Sequence, residues 1–194
     1  MSKKRLVLAS NSPRRIALLR SLGYQFEIIP HNIDECIHAP MPPVELAQHL
    51  AYLKALDVAG RVDNAIVISA DTIIVCKEVV VGKPKDINDA RRILSLLSSS
   101  EHDVISGVCV LETPAQKKML RAGLTHIKMT HISDEEIDRY ILTGEPLDKA
   151  GAYAIQGGGG KFIEKTDGSY SNVVGLPLEL LREMLDHFMN DENA

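Results

Sequence analysis

An aspartate inside an oily run is the residue of this sequence that most needs a chemical reason. Asp71 stands in Ile66-Val67-Ile68-Ser69-Ala70-Asp71-Thr72-Ile73-Ile74-Val75, the most apolar stretch of the chain. An ionised carboxylate taken out of water without a partner is costly, so it must pair with a cation, hold a metal or titrate. A structural salt bridge is one way out. The other is a metal-holding carboxylate or general base at a strand end that faces a cleft. Glu35, in Asn32-Ile33-Asp34-Glu35, is a second candidate carboxylate, although loop solvation explains it equally well.

The cations come next. In Ser10-Asn11-Ser12-Pro13-Arg14-Arg15 a strand delivers the chain to a helix start, whose unpaired N–H groups and positive dipole end attract anions. Two adjacent arginines add bidentate geometry for phosphate oxygens. An ordinary capped helix with exposed arginines is the plainer reading. Lys54 falls on the helical stripe Ala47, Leu50, Lys54, Val58, where a lysine ordinarily snorkels to water. Lys83, held between Gly82 and Pro84, reads equally as a loop lysine and as a phosphate contact. The run from 157 to 160 is all glycine but has no strand before it and no helix after it, so it reads as a flexible loop. Walker, Gly-x-Ser-x-Gly and His-x-x-x-His patterns are absent, which leaves little support for a P-loop, a serine nucleophile or a zinc site. Hard oxygen ligands beside several cations suit Mg²⁺ and a phosphorylated substrate.

The elements that must position these residues are legible in outline. Residues 5–9 predict a short strand, and Ser12 and Pro13 predict the cap and first position of a helix that stops at Gly23. Alternation over 24–29 predicts another strand, followed by a polar, Pro-rich loop over 30–43. A helix over 44–59 ends at Gly60, and 65–75 is a central strand buried on both faces. Lys77-Glu78 turns the chain into a short strand at 79–81, and Asp86 caps a helix to about 97. Two longer strands, 102–111 and 119–130, are expected to pair antiparallel. Ser133-Asp134-Glu135-Glu136 is a capping box for a helix ending near Gly144. Residues 145–171 read as loops and short strands, and Pro177 starts a last helix with Leu181, Met184 and Phe188 on one face. The pattern is α/β with a mixed sheet.

Composition sets the outer bounds. The 194 residues are 45% hydrophobic and 25% charged, with a net charge of −4. A mildly acidic chain without a long basic run is a poor ligand for nucleic acid or an anionic membrane, so neither is expected as a partner. Any polyanion it handles should be small. Cys36, Cys76 and Cys109 are scattered and odd in number, which points to a reducing compartment. The apolar run after the basic amino end covers only residues 6–9, too short for a signal peptide, so a cytoplasmic protein is expected.

Several motifs then occur in one order: Ser12-Pro13-Arg14-Arg15 after a strand, Ala70-Asp71-Thr72, Gly82-Lys83-Pro84, the run from Asp148-Lys149-Ala150-Gly151 through Tyr153-Ala154-Ile155-Gln156-Gly157, and Asn172-Val173-Val174-Gly175-Leu176-Pro177-Leu178. In this order and over nearly the whole chain the sequence resembles the Maf family. The resemblance implies a cytoplasmic nucleoside triphosphate pyrophosphatase, a single domain over 1–194. Its implied fold is like that of inosine triphosphatase: a mixed, largely antiparallel twisted sheet with flanking helices and two lobes around a cleft. Ser-Pro-Arg-Arg, Ala-Asp-Thr and Ala-Tyr-Ala-Ile-Gln resemble the dTTP/UTP branch; the 7-methyl-GTP branch would show Ser-Pro-Trp-Arg-Arg, Ser-Asp-Gln and a Ser-Glu-Gly segment. The resemblance associates Arg14, Thr72 and Gln156 with base choice and Asp71 with the proton acceptor. It likens Glu35 and Asp71 to carboxylates that hold Mg²⁺ or Mn²⁺, and Arg14, Lys54 and Lys83 to phosphate contacts, with Arg15 a weaker candidate. The Gln156 amide offers a donor and an acceptor that complement O4 and N3–H of uracil or thymine. A homodimer is consistent with the family. Ser69 stands where that family usually has Gly.

The expected activity is therefore hydrolysis of dTTP and UTP to the monophosphate and pyrophosphate, with clearance of non-canonical nucleotides as one use. Selection of 7-methyl-GTP or another modified nucleotide, a nucleotide-binding regulator of cell division, and a purely structural pairing of Asp71, Lys54 and Lys83 are the alternatives.

Overall fold

Strand β1 (Arg5–Leu8) alternates two apolar sets, Leu6 and Leu8 against Val7, and every one of these side chains is buried. A strand with both faces apolar must be covered on both faces, and the elements that follow do so. The computed structural model describes residues 4–33, 41–115 and 117–190. Helix α1 (Pro13–Ser21) starts as the sequence predicts, with the Ser12 side chain accepting from Arg15 N–H and Pro13 in the first turn. Strand β2 (Phe26–Ile28) pairs parallel with β1, shorter than the alternation over 24–29 suggests, and Ile28 remains exposed. Helix α2 (Pro43–Ala59) then leads to β3 (Ala65–Cys76), which also pairs parallel with β1.

Lys77 and Glu78 both take positive φ, 50° and 65°, and turn β3 into β4 (Val79–Val81), its antiparallel neighbour. Helix α3 (Ile87–Leu97) is capped by Asp86, whose carboxylate accepts from Asp89 N–H at 2.8 Å. The long strands β5 (Glu101–Glu112) and β6 (Lys118–Met129) follow, then α4 (Asp134–Ile141), opened by the expected capping box at Ser133 and Glu136. Residues 145–162 differ from expectation: the chain coils into three short 3₁₀ turns before β7 (Ile163–Asp167). Helices α5 (Tyr170–Val174) and α6 (Leu178–Asn190) complete the described chain. The sheet order is β2-β1-β3-β5-β6-β7, with β4 on β3, and β7 lies antiparallel to β6. Parallel and antiparallel pairs therefore share one sheet, as the mixed α/β expectation requires. Among the described residues no helix is long and apolar enough to cross a membrane.

The chain divides into two compact units, and the division runs through β3, β5 and β6. In the first unit (Met1–Asp71, Ser106–Gly123, Gly175–Ala194), Leu6, Leu8, Ile66, Ile68, Val108 and Val110 pack with Leu19 of α1 and Leu181, Met184 and Phe188 of α6. The alternate positions Val7, Val67, Cys109 and Leu111 pack with Ala51, Ala55 and Val58 of α2. Full burial of each large aliphatic side chain contributes about 1.5–3 kcal/mol. In the second unit (Thr72–Ile105, Leu124–Val174), Ile74 and Cys76 join Ile93, Leu94 and Leu97 of α3 and Ile137, Tyr140 and Ile141 of α4 around a separate core.

Candidate functional site

Side chains alternate along a strand, so Val67, Ser69 and Asp71 share one face of β3. That is the face on which α2 lies, since Val67 packs with Ala51 and Ala55. Small residues let the helix come close: Ala47, Ala51 and Ala55 point at the sheet, and Gly107 of β5 sits under them. A Cβ at Gly107 would stand 2.2 Å from Ala47 O, well inside any real contact. Two polar bonds then fix the register. Ser69 Oγ donates to Ala51 O at 2.5 Å, and one helical turn on, Lys54 Nζ donates to Asp71 Oδ1 at 2.7 Å.

This pair answers the question Asp71 raises. Lys54 does not snorkel to water; its side chain is 1% exposed and that of Asp71 11%, so the oily surroundings of each are offset by the other's charge. Asp71 is the last residue of its segment of the first unit and Thr72, half-buried, the first of the second unit's, consecutive on one strand with side chains on opposite faces. Ser69, where the resembled family usually has Gly, uses its hydroxyl to tie β3 to α2.

The two arginines separate in role. Arg15 turns back, and its Nε–H donates to Gly175 O at 2.8 Å, joining the Ser-Pro-Arg-Arg and Gly-Leu-Pro segments. Gly175 has φ 121°, a conformation that favours glycine. Arg14 is half-buried and makes no hydrogen bond or ion pair among the described residues, so its guanidinium remains available to an anion. Glu35, Cys36 and Asp34 lie outside the described residues.

In the second unit Lys83 is exposed on a loop whose preceding carbonyl, Gly82 O, accepts from Gly151 N–H at 3.0 Å. Gly151 is needed twice over: its φ is +72°, and a Cβ there would meet Ile74 Cδ1 at 2.3 Å. Gln156 is exposed at a turn closed by Gly157 N–H to Ala154 O at 3.2 Å. The glycines that follow are not a flexible loop. Gly158–Phe162 is a 3₁₀ turn, and Cβ atoms at Gly159 and Gly160 would stand 2.7 Å from Tyr140 Oη and 2.6 Å from Ile155 O. Close packing, not mobility, is why these positions are glycine.

Behind this segment His102 is 2% exposed, and its Nε2 lies 2.9 Å from Tyr153 Oη. Burial pushes the imidazole down to about 4, with a smaller opposing pull from Asp103, so the ring is neutral near pH 7. Burial raises the Tyr153 phenol. A cavity of about 220 Å³ opens along α2 between Glu45, His49, Tyr52 and Leu120, and among the described residues none of the predicted site residues lines it.

The family described as Maf-like protein matches residues 5–188. The chain belongs to the Maf-like protein family. A protein of Alkaliphilus metalliredigens (strain QYMF) named dTTP/UTP pyrophosphatase is 51% identical to this Maf-like chain over 187 residues, covering 95% of it and 97% of the relative. A protein of the same name from Dictyoglomus turgidum (strain DSM 6724 / Z-1310) is 46% identical, covering 96% and 97%. Among solved structures, the Staphylococcus aureus Ham1 protein aligns with a TM-score of 0.57 at 16% identity, covering 97% of the Maf-like chain and all of the other. A HAM1 protein from Coxiella burnetii aligns with a TM-score of 0.54 at 16% identity, covering 95% and 99%. At such identity the likeness is one of fold, and it agrees with the α/β architecture expected from the sequence.

Proposed function

We propose that this chain hydrolyses dTTP and UTP to the nucleoside monophosphate and pyrophosphate. The observation that carries the reading is the buried Lys54–Asp71 pair, set in a chain 51% identical to a relative named dTTP/UTP pyrophosphatase. In the reaction a water oxygen bonds to the α-phosphorus, the α–β anhydride bond breaks, pyrophosphate leaves and the water's proton passes to a base. Asp71 is the proton acceptor, held in orientation by Lys54 from one side. Arg14, Lys83 and Lys54 offset phosphate charge, and Arg15 serves mainly to fix the start of α1 through Gly175. Gln156, with Arg14 and Thr72, selects the base through the donor and acceptor of its amide.

A divalent cation, Mg²⁺ or Mn²⁺, belongs to the same reading. Among the described residues no three His, Cys, Asp or Glu gather to hold a metal. That arrangement still fits Mg²⁺, which takes hard oxygen donors and commonly relies on one or two carboxylates plus substrate phosphates and waters. Asp71 and Glu35 are the residues that would hold it, and the chemistry it would supply is charge neutralisation at the phosphates and acidification of a water. The test is pyrophosphate release across dTTP, UTP, CTP, GTP and 7-methyl-GTP, with and without EDTA. We expect dTTP and UTP to lead and chelation to abolish release; a preference for 7-methyl-GTP, or stoichiometric nucleotide binding without release, overturns the proposal. The scattered cysteines, of which Cys76 and Cys109 are buried free thiols, support a cytoplasmic setting. A homodimer is the assembly we propose, checked by light scattering.

A further inference from the structure

The turn that carries Gln156 is gripped from both ends by two residues far from any phosphate role. Tyr140, near the end of α4, donates its hydroxyl to Glu145 Oε1 at 2.7 Å and accepts from Ala154 N–H at 3.1 Å. The other Glu145 oxygen, Oε2, accepts from Gly158 N–H at 3.1 Å. Ala154 and Gly158 lie two residues before and two after Gln156, so this single hydrogen-bonded pair holds both legs of its turn. The glycines close around it: a Cβ at Gly157 would lie 2.2 Å from Glu145 Oε1, and one at Gly158 3.2 Å from Tyr140 Cε2. Tyr140 is itself fixed, 3% exposed and packed edge-on against Phe162 with ring centroids 5.4 Å apart. Burial and the Glu145 bond raise its phenol, which keeps the hydroxyl a donor near neutral pH.

A glutamine amide reaches a base edge through a flexible side chain, so the place from which it starts must come from the backbone. Tyr140 and Glu145 supply that anchorage, accepting from the Ala154 and Gly158 N–H groups on either side of Gln156. We propose that Tyr140 and Glu145 are positioning residues for Gln156, fixing the turn that carries it and through that turn the choice of pyrimidine base. The inference rests on the pyrophosphatase reading above and deepens it.

The test is kcat/KM for UTP and for CTP, whose base edges present opposite donor and acceptor patterns, in the wild type, Tyr140→Phe, Gln156→Ala and the double variant. Loss of one buried hydrogen bond corresponds to roughly three- to tenfold. We expect Tyr140→Phe to lower the UTP:CTP ratio by about that factor, Gln156→Ala to lower it at least as much, and the double variant to match Gln156→Ala alone. A merely structural tyrosine would lower both nucleotides together, with a lower Tm and an unchanged ratio. That result, or a further fall of the ratio in the double variant, overturns the proposal. If Tyr140→Phe does not fold, Glu145→Gln, which keeps one acceptor oxygen, takes its place in the same cycle with the same outcomes. A wild type that does not favour UTP, or a Gln156→Ala variant with an unchanged ratio, overturns the base-selection reading itself and this inference with it.

Discussion

Lys54 Nζ, from the buried face of α2, lies 2.7 Å from Asp71 Oδ1 on β3, and this bond joins the two charged residues that the sequence places in its most apolar surroundings. Replacing one member of such a pair strands the other charge, whereas replacing both with apolar groups is often neutral or stabilising. The pair therefore separates stability from chemistry.

Asp71→Asn should lower turnover at least about 10²-fold, the low end of a general-base contribution, and should destabilise the protein by about 3 kcal/mol because the buried Lys54 loses the carboxylate it bonds. Lys54→Met combined with Asp71→Leu should regain stability in urea unfolding while remaining inactive in pyrophosphate release. Near-normal turnover of purified Asp71→Asn would show that the carboxylate has no part in the reaction.

Arg14 and Arg15 are neighbours with different expected phenotypes. Arg14→Ala should raise KM for UTP about tenfold, the scale of one charge-assisted contact, with little change in Tm. Arg15→Ala removes the bond to Gly175 O and should lower stability by about 1 kcal/mol. The reverse pattern in kinetics and melting curves would reassign the two.

Gly107→Ala should cost about 1–3 kcal/mol through overpacking, because its new methyl would lie 2.2 Å from Ala47 O. Since α2 carries Lys54, kcat should fall as well. A variant with wild-type stability and turnover would mean that α2 tolerates displacement from the sheet.

The buried His102 gives a pH dependence of stability with a definite sign. Its pKa is lowered from 6.5 to about 4 by burial, so the unfolded chain binds the proton more readily. The contribution is fully present above pH 6.5 and is lost as pH falls from there toward 4, an effect on the order of 3 kcal/mol. His126 works the other way, because hydrogen bonds to Asp103 and Glu101 raise its pKa. That group is exposed, so solvent screening keeps its part small. Urea unfolding at pH 7 and pH 5 should show the loss, and His102→Gln should flatten it; an unchanged acid limb in that variant would remove His102 as its source.

What sequence alone determined here is whatever depends on neighbours along the chain. Ser12 and Pro13, Asp86, and the Ser133–Glu136 box mark helix starts because a cap is satisfied within three residues. The run at β3 announces burial on both faces because no polar alternation interrupts it, and Asp71 is conspicuous for the same reason. Motif order made the family and its fold legible as well.

What only the tertiary structure decided are pairings between residues distant in the chain. Whether Lys54 reaches water or Asp71 depends on how closely α2 lies on the sheet, and that distance is set by Gly107, 53 residues further on. Nothing local distinguishes Arg15 from Arg14 until Gly175 O is in place beside one of them. The glycines after Gln156 read as slack in one dimension and prove to be close packing against Tyr140 and Glu145, because a missing Cβ signals equally a free backbone and a crowded one.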